Sequence, residues 1–263
     1  MPPSYLPLSN WFVVSLRPVG QHRRLLHAAK ALGADGLSLP GLRLAAREDT
    51  PTRVVLGSAL QCAQVIFTSP AAVRFAVRLR MLPPDAPMGE PRTVFALGAT
   101  TRAALHRAGF ADVVVPSQAT SESLLALPGL ASVRGMRIGI VTAPDGRGLL
   151  AQRLRERGAA LVIAEVYARM PARLDRTHAR RLLDARRHGA VCVTSAEALG
   201  NVLAALPDAA RAALLRCVAV VSSERLEAIA RAAGFPTVIR ADAPSPRALL
   251  DALRAHASQR TFR

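Results

Sequence analysis

Apolar and polar positions along the chain fall into two alternating kinds of segment. Short apolar runs such as Trp11–Leu16 and Ile138–Val141 predict buried strands, and a helical pattern follows each of them. Short apolar strands that alternate with helices are typical of a parallel sheet with helices on both faces. We therefore predict an α/β fold.

The second half of the chain repeats landmarks of the first half. Gly33 and Gly158 end similar helical patterns 125 positions apart, and the segments around Ser69 and Ser195 match at an offset of 126. The repeat predicts two similar lobes. A glycine just after a helix favours a left-handed C′ residue. Four glycines occupy such positions: Gly33, Gly109, Gly158 and Gly234.

Two segments interrupt the pattern. Arg43–Gln61 and Tyr167–Thr177 are polar or irregular in sequence. We expect them to be connections between the lobes.

The formal net charge of +17 comes almost entirely from arginine, since Lys30 is the one lysine. A solvated, arginine-rich surface would explain this charge, and so would an acidic partner. The arginines do not form one run, and aromatic residues make up only 4% of the chain, too few to interleave for base stacking. We therefore favour an acidic small molecule over nucleic acid.

The chain has features of a protein of the reducing cytoplasm. No apolar run approaches the roughly 20 residues needed to cross a bilayer, and residues 1–10 do not resemble a signal peptide. Cys62, Cys192 and Cys217 are too widely spaced for a CxxC pair or a disulfide framework. We expect no membrane partner.

Candidate ligand-binding residues follow the strands directly. In open parallel sheets, ligands bind beyond the carboxyl ends of the strands, and the N–H groups of a helix N-terminus form an anion site there. Ordinary helix capping would also explain Ser and Thr at these points. The segments are Arg17-Pro18, Thr68-Ser69, Gly98-Ala99-Thr100-Thr101, Gly146-Arg147, Thr194-Ser195 and Ser222-Ser223.

Several common catalytic patterns are missing from the sequence. There is no GxSxG nucleophile elbow and no GxxxxGK[ST] phosphate loop. The six histidines lie in helical patterns without metal-ligand spacing, so we expect no metal site. Residues Gly146–Ala151 fit GxGxxA after a strand, which leaves a dinucleotide site as an alternative.

Tyr167 is one of two tyrosines and ends the apolar run Leu161–Val166. It could be a packed aromatic residue at a strand end. Alternatively, its phenol could donate a hydrogen bond or a proton to a leaving group.

Together these motifs resemble the uroporphyrinogen-III synthase family over roughly residues 12–255. The motifs are Leu-Arg-Pro (16–18), Phe-Thr-Ser-Pro-Ala-Ala-Val (67–73), Ala-Leu-Gly-Ala-Thr-Thr (96–101), Ala-Thr-Ser-Glu-Ser-Leu-Leu (119–125), Asp-Gly-Arg-Gly-Leu-Leu (145–150), Val-Tyr-Ala-Arg (166–169), Val-Thr-Ser-Ala-Glu-Ala-Leu (193–199) and Ser-Ser-Glu-Arg-Leu (222–226). Each is short, and their order and spacing carry the resemblance.

The resemblance implies an architecture that the repeat alone does not predict. It places residues 1–43 with 172–263 in one discontinuous lobe and 44–171 in the other. Each lobe would be a doubly wound, flavodoxin-like parallel sheet. Two linking strands would form a hinge, with a cleft between the lobes.

The resemblance also implies a reaction. A lyase of this family closes linear hydroxymethylbilane, which carries eight carboxylates, into uroporphyrinogen III, with loss of water and inversion of the terminal pyrrole ring. It would use no cofactor or metal. Tyr167 matches the family tyrosine thought to assist departure of hydroxide. The implied substrate-binding residues are Arg17, Thr68, Ser69, Thr100, Thr101, Gly146, Arg147, Thr194, Ser195, Ser222 and Ser223.

We expect a cytoplasmic monomer. Two alternatives remain open at this point. One is a two-lobed protein that binds an anionic ligand without chemistry, and the other is an NAD(P)-linked enzyme that uses Gly146–Ala151.

Overall fold

The computed structural model describes residues 6–79, 93–144, 148–185 and 187–261, with the backbone alone at 260 and 261. Helices and strands are numbered in chain order. The chain divides into two compact units, Met1–Arg43 with Met170–Arg263 and Leu44–Arg169. We call them the discontinuous unit and the continuous unit.

The discontinuous unit contains a sheet of five parallel strands in the order β12-β11-β10-β1-β2. Its strands are β1 (Trp11–Ser15), β2 (Asp35–Ser38), β10 (His188–Val193), β11 (Val218–Val221) and β12 (Val238–Arg240). Its helices are α1 (Arg23–Ala31), α8 (Arg176–Asp184), α9 (Ala196–Ala205), α10 (Asp208–Leu215), α11 (Glu224–Ala232) and α12 (Pro246–Thr261).

Helices cover both faces of this sheet. Successive strand residues point to opposite faces, so Val14 joins the apolar cluster formed with α8 to α11, whereas Val13 joins the cluster formed with α1 and α12. Parallel sheets need such cover because both faces are apolar.

The continuous unit also contains five parallel strands, in the order β6-β5-β4-β7-β8. Its strands are β4 (Gln64–Phe67), β5 (Thr93–Ala96), β6 (Val113–Val114), β7 (Arg137–Thr142) and β8 (Ala160–Glu165). Its helices are α2 (Thr50–Leu60), α3 (Pro70–Arg78), α4 (Ala99–Arg107), α5 (Ser121–Leu125), α6 (Pro128–Ala131) and α7 (Gly148–Glu156). Val65 and Ile66 pack on opposite faces, against α2 to α4 and against α5 to α7 respectively.

The two sheets have the same spatial arrangement of strands, but the chain runs through the strand positions in a different sequence in each. Counted along the chain, the discontinuous unit has the flavodoxin-like order 2-1-3-4-5. In the continuous unit β8, β7, β4, β5 and β6 fill the same places in turn. Each half of the chain therefore supplies two strands to one unit and three to the other, which accounts for the repeat. The predicted α/β class with two doubly wound parallel sheets is confirmed.

The chain passes between the units within two strands, β3 (Leu42–Ala46) and β9 (Tyr167–Pro171), which form a two-stranded sheet. Both crossings lie within the segments predicted as connections, Arg43–Gln61 and Tyr167–Thr177. The expectation of polar or irregular structure is wrong for Arg43–Gln61, because most of it is helix α2. Exposed Val54 and Val55 obscure the helical period of its buried face. Tyr167–Thr177 likewise contains strand β9.

The predicted helix ends agree with the backbone. Gly33, Gly109, Gly158 and Gly234 all have positive φ, between 84° and 97°.

Candidate active site

The carboxyl ends of neighbouring parallel strands bring the predicted residues of each unit to one sheet edge. In the discontinuous unit, Arg17 follows β1, Thr194 and Ser195 follow β10, and Ser222 and Ser223 follow β11. These three strands are adjacent in the order β11-β10-β1. The sheet therefore assembles segments that are up to about 200 residues apart in sequence.

The continuous unit does the same with its own strands. Thr68 and Ser69 follow β4, Thr100 and Thr101 follow β5 after a short turn, and Tyr167 follows β8. The predicted residues Gly146 and Arg147, which are the first two of the GxGxxA motif, come after β7 in the chain and lie outside the described residues.

Three of the predicted serines are helix N-caps. The side-chain oxygens of Ser69, Ser195 and Ser223 accept hydrogen bonds from the backbone N–H three residues later, at 3.1, 3.2 and 3.3 Å. Capping therefore explains why serine occurs there. The positive ends of α3, α9 and α11 lie at the carboxyl ends of the strands, where an anion would be favoured by roughly 0.3–1 kcal/mol per helix.

The two threonines after β5 differ in exposure. Helix α4 begins after Gly98, which offers no side chain to cap it, and a Cβ there would lie 2.8 Å from that of Ala119. Thr100 is exposed in the first turn, whereas Thr101 is buried. Thr100 is thus the hydroxyl of this pair that a ligand could reach.

Thr68 has an internal partner. Its buried hydroxyl donates to the Thr142 side-chain oxygen at 2.8 Å, which joins the end of β4 to the end of β7. Thr142 is absent from the predicted site residues, although it shares with them the signal of a hydroxyl residue at the end of a strand.

Tyr167 lies in the apolar core of the continuous unit, with 4% of its surface exposed. Its ring stacks on Phe75, and its hydroxyl lies 3.2 Å from the Ser69 hydroxyl. Tyr167 is therefore a packed aromatic residue, and donation from its phenol to a leaving group stays a prediction.

Arg17 is half-buried beyond β1. Its Nη2 donates to the Pro244 carbonyl at 2.8 Å, while its buried Nε has no hydrogen-bond partner among the described residues. Burial lowers the pKa of Arg17 from its usual value. No carboxylate in the described part of the chain forms an ion pair with it.

Ser15 and His22 form a pair close to Arg17 that no sequence pattern predicted. The fully buried Ser15 hydroxyl lies 3.0 Å from His22 Nδ1. Burial, and secondarily the charges of Arg17 and His178, lower the pKa of His22 below its usual value. Its surroundings therefore favour the neutral imidazole.

The prediction that all six histidines lie in helices is wrong for two of them. His22 precedes the first residue of α1, and His188 begins strand β10, where it packs beside Trp11. The apolar run of β10 is short and follows basic residues, so the hydrophobic pattern did not show where this strand begins. Among the described residues, no group of three His, Cys, Asp or Glu side chains could hold a metal ion. None of the described helices is long and apolar enough to cross a membrane.

The sequence profile described as Uroporphyrinogen-III synthase HemD matches residues 23–251. The chain belongs to the uroporphyrinogen-III synthase family. It is 33% identical over 246 residues to the uroporphyrinogen-III synthase of Salmonella typhimurium, and 30% identical over 245 residues to that of Escherichia coli. Each match covers 92% of this chain and 99% of the relative.

Solved structures of the family share the fold. The uroporphyrinogen-III synthetase of Helicobacter pylori has a TM-score of 0.62 at 16% identity and covers 93% of this chain and 99% of its own. A mutant uroporphyrinogen III synthase of the extremely thermophilic bacterium Thermus thermophilus has a TM-score of 0.55 at 20% identity and covers 95% and 99%. The family predicted from the motifs is confirmed. The comparisons do not favour a non-catalytic binding protein or an NAD(P)-linked enzyme.

Proposed function

We propose that this chain is a hydro-lyase that closes hydroxymethylbilane into uroporphyrinogen III with inversion of the terminal pyrrole ring. The observation that carries the proposal is the match to curated synthases over 92% of the chain, at up to 33% identity. Such a match supports the same reaction and the same substrate class.

The charge of the chain suits this substrate. Eight carboxylates need compensation, and the net charge of +17, the half-buried Arg17 and the N-termini of α3, α9 and α11 offer it. We propose as substrate-binding residues Arg17, Thr68, Ser69, Thr100, Thr101, Gly146, Arg147, Thr194, Ser195, Ser222 and Ser223.

Exposure suggests a division of labour among these residues. Exposed Thr100 and Ser223, with half-buried Ser195, are accessible to carboxylates. Buried Thr68 and Thr101 would act by holding the strand ends that carry the accessible groups.

The chemistry needs orientation more than acid–base power. Hydroxymethylbilane closes without a catalyst, but without ring inversion. A protein that holds the two chain ends in the productive geometry therefore changes which bond forms. We propose Tyr167 as the catalytic residue that assists departure of hydroxide.

The carbon–oxygen bond of the hydroxymethyl group breaks, both electrons leave with oxygen, and the Tyr167 hydroxyl supplies the proton that makes water. The terminal pyrrole loses a carbon-bound proton when the macrocycle closes, which restores the phenol. The net change is the loss of one water.

We also propose the lobe bounds 1–43 with 172–263 and 44–171, and a cytoplasmic monomer without a nucleic-acid or membrane partner. The buried thiols of Cys192 and Cys217 suit a reducing compartment.

The time course of hydroxymethylbilane consumption tests the proposal. Purified protein should accelerate consumption over a heat-denatured control, with saturation as substrate rises. Saturable binding of the bilane without faster consumption would contradict an enzymatic role.

A further inference from the structure

Ser69 connects the proposed catalytic tyrosine to a helix N-terminus. Its side-chain oxygen accepts from Ala72 N–H at 3.1 Å and lies 3.2 Å from the Tyr167 hydroxyl. The two side chains are 98 positions apart in sequence, and both belong to the continuous unit. A single hydroxyl thus caps α3 and contacts the phenol.

This second contact distinguishes Ser69 from the other capping serines. Ser195, Ser223 and Ser245 cap α9, α11 and α12 with similar geometry, at 3.2 to 3.3 Å. Within the described part of their own unit, the cap is the one hydrogen bond that each of these three side chains makes. Capping alone therefore does not account for the arrangement at Ser69.

The cap leaves the Ser69 hydroxyl free to donate to the phenol oxygen. Ala72 N–H can only donate, so the Ser69 oxygen accepts there and its own proton remains to be donated. If Ser69 donates to the Tyr167 oxygen, the phenol proton is left for an outside acceptor. The positive end of α3 then favours negative charge developing on the phenol oxygen.

We propose that Ser69, one of the substrate-binding residues proposed above, acts within that set as a positioning residue for Tyr167; this inference rests on the proposed function. Ser69 holds the phenol by donating to its oxygen, so that the Tyr167 proton points to the departing hydroxide of the substrate. The same hydrogen bond stabilises the phenolate until the proton released at ring closure restores the phenol. Phe75, stacked 5.1 Å from the tyrosine ring, fixes the ring plane.

Three substitutions separate this role from capping. Ser69→Ala removes the cap and the donor, Ser69→Thr keeps both, and Ser69→Asp keeps a strong cap but cannot donate when ionised. Ser245→Ala, which removes a similar cap from α12 at 3.2 Å, is the matched control for lost capping.

We expect Ser69→Ala and Ser69→Asp each to lower kcat about tenfold, part of the roughly 10²–10⁴ that a positioned acid supplies. KM should stay within about twofold in Ser69→Ala, whereas the added carboxylate of Ser69→Asp should raise KM by repelling the polyanionic substrate. Ser69→Thr should retain most of the turnover, and Ser245→Ala should leave turnover unchanged. Thermal unfolding of each variant shows whether it is folded, and Ser69→Asp should remain as stable as the parent.

A double-mutant cycle with Tyr167→Phe tests whether Ser69 acts through the Tyr167 hydroxyl. If Ser69 acts through the phenol, Ser69→Ala should cause no further loss of kcat once the phenol is gone. Equal losses in both backgrounds, or a rise in KM alone, would overturn the inference while leaving the proposed function intact. Failure of the parent protein to form type III product would overturn both, so the two failures are distinguishable.

Discussion

The rings of Tyr167 and Phe75 are stacked, with centroids 5.1 Å apart and an interplanar angle of 20°. Phenylalanine at position 167 would keep this stack and the surrounding apolar packing. The substitution Tyr167→Phe therefore isolates the contribution of the hydroxyl.

For Tyr167→Phe we predict a fall in kcat of about 10²-fold, the low end of the range for loss of a positioned acid. KM and the thermal midpoint should change little. Tyr5→Phe changes the only other tyrosine, outside the matched residues 23–251, and serves as the control. Unchanged steady-state turnover in Tyr167→Phe would remove the hydroxyl from the mechanism.

Arg17→Gln should weaken substrate binding. The half-buried Arg17 charge has no carboxylate partner in the described structure, so a substrate carboxylate should replace that partner. We predict a rise in KM of about tenfold, equivalent to ~1.4 kcal/mol. The effect should shrink as salt screens the charges.

Arg216→Gln is the matched control for Arg17→Gln. Arg216 is the C-cap of α10, just before β11 begins. It therefore lies at the amino ends of the strands of the same sheet, whereas Arg17 lies at their carboxyl ends. If both substitutions raised KM equally, general surface charge rather than a specific contact would be responsible.

Local patterns in the sequence were enough to predict much of the fold. The glycines with positive φ, the capping serines and the apolar strands each depend on a few neighbouring residues. The repeat follows from the same local signals. These features also placed candidate residues at the correct strand ends, because parallel strands share one carboxyl edge.

The contacts within the site could not be predicted in the same way. Ser69 meets Tyr167, and Thr68 meets Thr142, only because the sheet order places β4, β7 and β8 side by side. No local pattern encodes that order. The family resemblance supplied the expected lobe bounds, but not the side-chain partners.

Gly139→Ala should destabilise the fold. Gly139 lies in β7, where an added Cβ would overlap the carbonyl oxygen of Ala59 in α2. Because backbone cannot move aside as a flexible side chain can, we predict a loss of about 1–3 kcal/mol in unfolding free energy.

Gly200→Ala is the control for this substitution. Gly200 lies in helix α9, and an added Cβ there would meet nothing within 4 Å. We predict a gain of about 0.5–1 kcal/mol from improved helix propensity. The thermal midpoint should therefore fall in Gly139→Ala and rise in Gly200→Ala. A rise in both variants would contradict the close approach of the Ala59 backbone to Gly139.

The buried thiols should resist reagents until the chain unfolds. Burial raises the pKa of Cys192 and of Cys217 to about 12, from about 9. At pH 8 the folded protein should show no fast reaction of these two cysteines with a thiol reagent. Mass spectrometry of the labelled sites checks this, and rapid labelling of Cys192 in folded protein would contradict it.

The same shifts give a direction for alkaline stability. A thiol whose pKa is raised by folding stabilises the folded state fully below the unfolded value and loses that contribution as the pH rises through the folded value. The free energy of unfolding should therefore fall between about pH 9 and pH 12. Replacing Cys192 with alanine should reduce this slope, and an unchanged slope would contradict the assignment.

The isomer composition of the tetrapyrrole formed from hydroxymethylbilane tests the central claim most directly. After oxidation to porphyrins, the type I and type III isomers are separated by chromatography and compared with a protein-free reaction. We predict predominantly type III product with the protein and type I without it. Type I product alone, formed at the uncatalysed rate, would contradict the account.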